Sequence, residues 1–202
     1  MKKAVLYVHG KGGSPREAEQ YAENCPGFDL YGVDYGPSFP WSAEAPIRAD
    51  LERLQRRYER VVLIGNSIGA YFAMNALQGQ ALARALFISP ILNMERLILD
   101  MLGWAGATEE ELQRRGEIVT DFGETLSWAY LRYVRSHPIQ WDVPTDILYA
   151  GRDNLTSRET AEDFARRHGA SLTVMEEGEH WFHTPRQLAF LNGWMRDVMA
   201  GL

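Results

Sequence analysis

A serine between two glycines is the first feature of this sequence that could do chemistry. It lies in Gly65-Asn66-Ser67-Ile68-Gly69, directly after the apolar run at 61–64 and before a helical pattern. A strand-to-helix turn of this kind holds a serine hydroxyl clear of the backbone, and small residues on either side give the tight turn room. The N-terminus of the following helix favours developing negative charge. The pattern predicts Ser67 as a nucleophile and Gly65 and Gly69 as the glycines of this turn, called the elbow below.

A base must take the proton of such a serine, because the neutral hydroxyl is a weak nucleophile. In serine sites built on a strand-to-helix turn, the chain order is serine, acid, histidine, so the base should follow the last strand. The five histidines of the chain are His9, His137, His168, His180 and His183. Only the last two lie late enough. We favour His180, which follows a glycine by two residues, and keep His183 as the alternative.

The remaining parts of such a site also have candidates. Asp153 is the only acid in Gly151-Arg152-Asp153-Asn154, the loop after the fifth predicted strand, and an acid there would orient the imidazole and stabilise its cation. Acyl transfer also needs two N–H donors for the oxyanion. We expect them from the backbone of Ile68 and from that of Lys11, in the glycine-rich loop at 9–13. A phosphate-cradling role for this loop is disfavoured, since the G-x-x-x-x-G-K-S/T pattern is absent.

Short apolar runs alternate with longer amphipathic runs along the chain. Strands are predicted at 4–8, 28–35, 61–64, 85–88, 147–150 and 172–175, and helices at 14–24, 42–58, 68–78, 157–167 and 185–199. Repeated strand-helix-strand units indicate an α/β fold: a three-layer α/β/α sandwich with a mostly parallel, about six-stranded sheet. Residues 1–202 are expected to form a single domain. Residues 91–142 interrupt the rhythm and are predicted as a small helical cap inserted within it.

Composition narrows the classes of function. The chain has 202 residues and a formal net charge of −6, which disfavours a nucleic-acid partner. Its one cysteine allows no intramolecular disulfide and no cysteine cluster for zinc. We see neither a signal peptide nor an apolar run long enough for a bilayer, so a cytoplasmic location, no membrane partner and a small-molecule substrate are expected. The sequence does not determine the oligomeric state.

Four motifs, in order along nearly the whole chain, resemble the successive signatures of the α/β-hydrolase family. They are His9-Gly10, Gly-Asn-Ser-Ile-Gly, Gly-Arg-Asp-Asn and Gly-Glu-His-Trp-Phe. The resemblance implies a Ser-His-Asp hydrolase without cofactor or metal, acting on ester, thioester or amide bonds through an acyl-enzyme. The chain departs from the family in lacking the two antiparallel strands that often begin its sheet. Other chemistry of the same fold (carbon-carbon bond hydrolysis or a cofactor-free peroxidase-type reaction) and a non-catalytic binding module are the alternatives.

Substrate specificity is less defined. Five aromatic residues are expected either to line an apolar pocket or to pack the cap onto the body: Phe39, Trp41, Trp104, Trp128 and Trp181. Lys11 stands where the family often has an apolar or aromatic residue. We therefore hypothesise that its ammonium group meets a carboxylate or phosphate of the substrate.

Overall fold

The computed structural model describes residues 2–36 and 39–202. In chain order the elements are β1 (Lys3–Val8), a 3₁₀ helix (Pro15–Asn24), β2 (Phe28–Gly32), α1 (Pro40–Gln55), β3 (Arg60–Asn66), α2 (Ile68–Leu77), β4 (Arg84–Ile88), α3 (Met94–Trp104), α4 (Glu109–Arg115), β5 (Glu117–Val119), β6 (Thr125–Ser127), α5 (Trp128–Ser136), β7 (Thr145–Ala150), α6 (Arg158–His168), β8 (Ser171–Met175) and α7 (Pro185–Ala200).

Six parallel strands form the main sheet, in the order β2-β1-β3-β4-β7-β8. This confirms the predicted α/β fold class and its parallel sheet. The central strands are apolar on both faces, as β1 shows with five consecutive fully buried residues from Ala4 to Val8. Such continuous apolar runs are typical of parallel strands that are covered by helices on both sides.

One core cluster lies on the face of the sheet covered by the 3₁₀ helix and α7. Alternate strand residues such as Val5, Val62 and Leu148 pack there against Leu191 and Met195 of α7. Helices α1 and α2 pack against each other and against β1 and β3, and α6 packs against β7 and β8. The sheet is therefore the middle layer of three.

Two predicted elements differ in detail. The helix predicted at 14–24 is a 3₁₀ helix, and its buried residues Ala18, Tyr21 and Asn24 recur every third position. Three residues per turn place such residues directly above one another, whereas an α-helix would turn each by about 60° relative to the one before. Strand β2 ends at Gly32 rather than at 35. Beyond its end, the hydroxyl of Tyr35 donates to the carbonyl of His9 at 2.7 Å, so Tyr35 contacts the loop after β1 through its side chain.

The described chain divides into two compact units, and the second spans Asn93–Ile139. This unit contains α3, α4 and α5, together with an antiparallel hairpin of β5 and β6 that was not predicted from the sequence. Arg135 on α5 pairs with Glu95 on α3 and with Glu109 on α4 and so joins its three helices. A cap role for this segment stays a prediction.

Within residues 2–36 and 39–202, no helix combines the length and the apolar character that a membrane crossing requires.

Candidate active site

The elbow forms a tight turn between β3 and α2. Ser67 has φ 54° and ψ −123°, a backbone conformation that side-chain-bearing residues seldom adopt. Its N–H donates to the carbonyl of Ile88, and its carbonyl accepts from Ala70 and Ile91, so the strained residue is held on both sides. Backbone strain that is fixed by surrounding hydrogen bonds is a common feature of functional sites.

Neither elbow glycine has room for a side chain. A Cβ on Gly65 would lie 2.8 Å from the Cα of Ala70, and a Cβ on Gly69 would lie 2.3 Å from the carbonyl oxygens of both Val8 and His9. The second contact is with the backbone at the end of β1, which cannot rotate away. The close packing of α2 against β1 and β3 therefore requires glycine at both positions.

Three of the predicted site residues form a hydrogen-bonded chain. The hydroxyl of Ser67 lies 2.8 Å from Nε2 of His180, and Nδ1 of His180 lies 2.7 Å from Oδ2 of Asp153. Ser67 and His180 are 113 positions apart in the sequence. The carboxylate can only accept, so Nδ1 carries a proton and Nε2 of a neutral imidazole is free to accept from the serine hydroxyl. The arrangement can withdraw a proton from Ser67.

The Asp153 side chain is completely buried, whereas 22% of the His180 side chain is exposed. The second carboxylate oxygen, Oδ1, accepts from the backbone N–H groups of Leu155 at 2.8 Å and Thr156 at 3.3 Å. Each oxygen of the carboxylate thus has a donor, which compensates for its removal from water. These contacts also fix which oxygen faces the imidazole.

Tyr149 lies below the acid loop and donates from its hydroxyl to the carbonyl of Thr156 at 2.9 Å. Burial raises the pKa of the Tyr149 phenol, and the negative charge of Asp153 adds to the rise. The phenol therefore stays protonated and continues to donate at neutral pH.

The glycine-rich loop after β1 lies against the elbow. A Cβ on Gly10 would be only 3.3 Å from Cβ of Ser67. The loop turns at Lys11 and Gly12, where the N–H of Gly13 donates to the carbonyl of Gly10 at 3.1 Å and Gly12 has φ 72°. The structure thus brings the Lys11 turn next to the serine, while the direction of the Lys11 amide stays a prediction.

Glu17 closes this loop from below. Its Oε1 accepts from the backbone N–H of Ser14 at 3.1 Å, and its Oε2 accepts from the Tyr7 hydroxyl at 2.8 Å. Burial raises the pKa of Tyr7 well above its usual range, and the nearby charge of Glu17 adds to that rise. The loop is therefore bonded to β1 and to the first turn of the 3₁₀ helix.

The loops after β1 and β3 leave the sheet on opposite faces. The chain passes from β1 to its neighbour β2 on one side, and then to β3 on the other side of β1. The 3₁₀ helix follows β1 on one face and α2 follows β3 on the other. In open α/β sheets, ligands bind in the crevice where the connections diverge in this way, at the carboxyl ends of the strands. Ser67 directly follows the carboxyl end of β3, where this topology predicts such a crevice.

The other histidines have separate surroundings. Nδ1 of His183 lies 3.5 Å from Oε2 of Glu179, and 47% of the His183 side chain is exposed. His168 contacts the carbonyl of Trp141, and His137 contacts that of Tyr133. Of the two late histidines, His180 is the one whose ring contacts Ser67.

The predicted substrate-lining tryptophans fall in different units. Trp41 is the second residue of α1 and stacks on Phe39, and Trp181 follows His180 with 74% of its surface exposed. Trp104 and Trp128 belong to the second unit, where Trp104 meets Phe122 edge-on. Trp181 is the most exposed of the tryptophans that the structure describes.

One buried residue beside the site was not among those predicted from the sequence. Gln187, on the first turn of α7, is 5% exposed and bonds to the loop that carries His180. The Thr-x-x-Gln spacing at 184–187, a capping box, was the available signal.

Within the described residues, no cluster of three or more His, Cys, Asp or Glu side chains is arranged to hold a metal ion.

Solved structures with the same fold are numerous. Est1E from Butyrivibrio proteoclasticus with ferulic acid bound has a TM-score of 0.79 and 15% identity, over 98% of this chain and 88% of that one. Alpha/beta hydrolase domain-containing protein 10 from mouse has a TM-score of 0.74 and 14% identity, over 98% and 90%. The Pyrococcus furiosus esterase Pf2001 has a TM-score of 0.66 and 19% identity, over 99% and 82%. At these identities the likeness shows the fold.

A comparison of the sequence with curated proteins gives no match. The sequence profile of the alpha/beta hydrolase family matches residues 5–192, which include the elbow, the acid loop and the His180 loop. This chain therefore belongs to the alpha/beta hydrolase family.

Proposed function

We propose that this protein is a serine hydrolase that cleaves a carboxylic ester of a small substrate through a Ser67-His180-Asp153 triad. The observation that carries the proposal is the pair of hydrogen bonds, 2.8 Å and 2.7 Å long, that joins the three side chains. A serine, an imidazole and a buried carboxylate that contact one another in this order are the groups that catalyse acyl transfer. Family membership supports hydrolysis as the reaction.

In the proposed first step, the Ser67 hydroxyl attacks the substrate carbonyl while His180 accepts its proton. The positive imidazolium is stabilised by the buried Asp153 carboxylate. His180 then gives the proton to the leaving alcohol, and an acyl-enzyme remains on Ser67. A water molecule then attacks the carbonyl of the acyl-enzyme while His180 accepts its proton. His180 returns the proton to the Ser67 oxygen as the acyl bond breaks, so that the acid product leaves and the serine hydroxyl is restored.

The tetrahedral intermediate carries negative charge on the former carbonyl oxygen. Ile68 is the first residue of α2, where the helix provides no acceptor for its backbone N–H. We assign one oxyanion contact to this N–H and the second to the backbone of Lys11, because the Gly10 backbone lies against Ser67. Removing one such donor commonly lowers kcat by about 10²- to 10³-fold.

Ester bonds are the proposed substrate class, ahead of thioesters and amides. Two structures of the same fold are named for this activity or hold a related molecule: the Pyrococcus furiosus esterase, and Est1E with ferulic acid bound. Trp181, exposed beside His180, would contact the apolar part of the substrate, and Trp41 is proposed for the same role at the start of α1. Trp104 and Trp128 stay predictions.

The test compares Ser67→Ala, His180→Ala and His183→Ala on a panel of p-nitrophenyl esters, thioesters and anilides. We expect the first two substitutions to lower kcat by at least about 10⁴-fold, as loss of a triad member does elsewhere. His183→Ala is the matched control, because this neighbouring histidine contacts Glu179 and is expected to retain wild-type turnover. A fluorophosphonate probe should label the wild type at Ser67. Full ester turnover by Ser67→Ala would refute the proposal, and absence of labelling in folded protein would favour a binding module.

A further inference from the structure

The segment that carries His180 connects β8 to α7 and has little regular structure. Arg152 of the acid loop donates its N–H to the carbonyl of Gly178 at 2.9 Å, and the N–H of Phe182 donates to the carbonyl of Glu179 at 3.0 Å. Phe182 is buried and has φ 39°, in the left-handed region that branched or bulky residues avoid. A strained residue in a short loop persists only where other contacts determine the conformation.

One side-chain amide makes four such contacts. Oε1 of Gln187 accepts from the backbone N–H of His183 at 3.0 Å and from that of Thr184 at 3.4 Å. Its Nε2 donates to the carbonyl of Glu177 at 3.3 Å and to the carboxylate of Glu179 at 3.2 Å. The four partners lie on both sides of His180 in the sequence, so one side chain holds both ends of the segment.

The orientation of this amide has a single solution. The carbonyl of Glu177 and the carboxylate of Glu179 can only accept, and the backbone N–H groups of His183 and Thr184 can only donate. A flipped amide would place like groups against each other at all four contacts. Because Gln187 is 5% exposed, water offers it no comparable set of partners. The hydrogen-bonding capacity of the buried amide is therefore used on the loop.

We propose that Gln187 is a positioning residue that acts through His180: it fixes the loop at 177–184 so that Nε2 of His180 stays within hydrogen-bond distance of Ser67. The proposal rests on the proposed function, since it concerns the geometry of the same base. It assigns Gln187 no contact with the substrate. Its loss should reduce the rate of proton transfer and leave substrate binding nearly unchanged.

Gln187→Met tests this, because methionine has a similar length and can neither donate nor accept strongly. We expect kcat to fall by about 10- to 100-fold, as small misplacements of a catalytic group do, with KM changing by less than about threefold. The rate of fluorophosphonate labelling should fall in parallel, because labelling also needs an activated Ser67. Gln187→Glu is the second variant: it keeps the two accepting contacts and the capping box, loses both donors and places a carboxylate against Glu179.

Thr184→Ala is the matched control. It removes the N-cap contact, in which Oγ1 of Thr184 accepts from the N–H of Gln187, and leaves the four contacts of the Gln187 amide in place. We expect its kcat to stay within about twofold of the wild type. A fall in kcat as large as that of Gln187→Met would show that any disturbance of this helix turn has the same effect, and would overturn the proposal.

The decisive measurement places Gln187→Met in a His180→Ala background. Residues that act as one unit are non-additive, so the second substitution should change the residual rate by less than about threefold. A 10-fold or larger further loss there, or wild-type kcat for both Gln187 variants, would overturn the inference. If Ser67→Ala and His180→Ala were fully active, the proposed function itself would fail. If those two are inactive and the Gln187 variants are normal, only the positioning role fails.

Discussion

The backbone strain at Ser67 can be measured by comparing the stabilities of two substitutions at this position. With φ 54° and ψ −123°, a residue bearing a Cβ is destabilised by about 1–3 kcal/mol relative to an unstrained conformation. Glycine adopts such a backbone readily, but its freedom in the unfolded chain costs about 0.4–1 kcal/mol. Ser67→Gly should therefore be more stable than Ser67→Ala by about 1 kcal/mol, although both lack the nucleophile.

Thermal unfolding of the two variants measures this difference. For a chain of this size, about 1 kcal/mol corresponds to a Tm higher by about 2–4 °C. Comparing glycine with alanine cancels the loss of the hydroxyl and of its contact with His180, and so isolates the backbone. The control pair is Ser136→Gly and Ser136→Ala at the end of α5, a helical position where alanine should be the more stable by up to about 1 kcal/mol. A Tm of Ser67→Gly at or below that of Ser67→Ala would refute the reasoning.

Three further predictions concern the acid, an elbow glycine and the cysteine. Asp153→Asn should keep its oxygen on the two backbone N–H groups that it already accepts from and turn its NH₂ group to His180, which imposes the wrong tautomer and lowers kcat by about 10⁴-fold. Gly69→Ala should lower the free energy of unfolding by at least about 2 kcal/mol in urea titrations, because its Cβ meets two backbone oxygens at 2.3 Å. The control is Gly193→Ala in α7, where a Cβ meets nothing within 4 Å, and this substitution should raise the free energy of unfolding by about 0.5–1 kcal/mol. Burial raises the pKa of the Cys25 thiol to about 11, so a thiol reagent at pH 8 should label this cysteine only after unfolding.

Each of these has an outcome that contradicts it. Asp153→Asn with more than about a tenth of wild-type kcat would mean that the carboxylate does not set the imidazole tautomer. Equal stability of Gly69→Ala and Gly193→Ala would show that α2 can move away from β1. Rapid labelling of native Cys25 would place the thiol at the surface.

Folding favours the protonated thiol of Cys25, because burial raises its pKa. The contribution of this thiol to stability is therefore lost as the pH rises from about 9 to about 11.

Most of the sheet could be predicted from the sequence because its strands are short apolar runs separated by glycine-rich or polar turns. The run at 61–64 and the elbow that follows it fixed the position of β3 and the start of α2. The 3₁₀ helix was predicted as an ordinary helix, although the spacing of three between Ala18, Tyr21 and Asn24 was readable. The β5–β6 hairpin was missed because its strands have three residues each, too few for a periodic pattern.

The residues that support the site were harder to find. The contact of Gln187 with the N–H of Thr184 belongs to the local capping-box pattern, but its contacts with Glu177 and Glu179 arise only when the loop at 177–184 folds back onto α7. Glu17 could be read as a capping residue, but its contact with Tyr7 depends on the packing of the 3₁₀ helix against β1. Such roles depend on surfaces that the local pattern does not encode.

The sequence by itself determined which residues could serve: a serine between two glycines at a strand-to-helix turn, one acid in the loop at 151–154, and two late histidines. Local backbone requirements set these choices, and those are written in neighbouring residue types. Only the tertiary structure brought Nε2 of His180 to 2.8 Å from a serine 113 positions earlier. The physical reason is that hydrophobic periodicity specifies which face of an element is buried, whereas the meeting of distant loops depends on strand order and on the cooperative packing of the whole sheet.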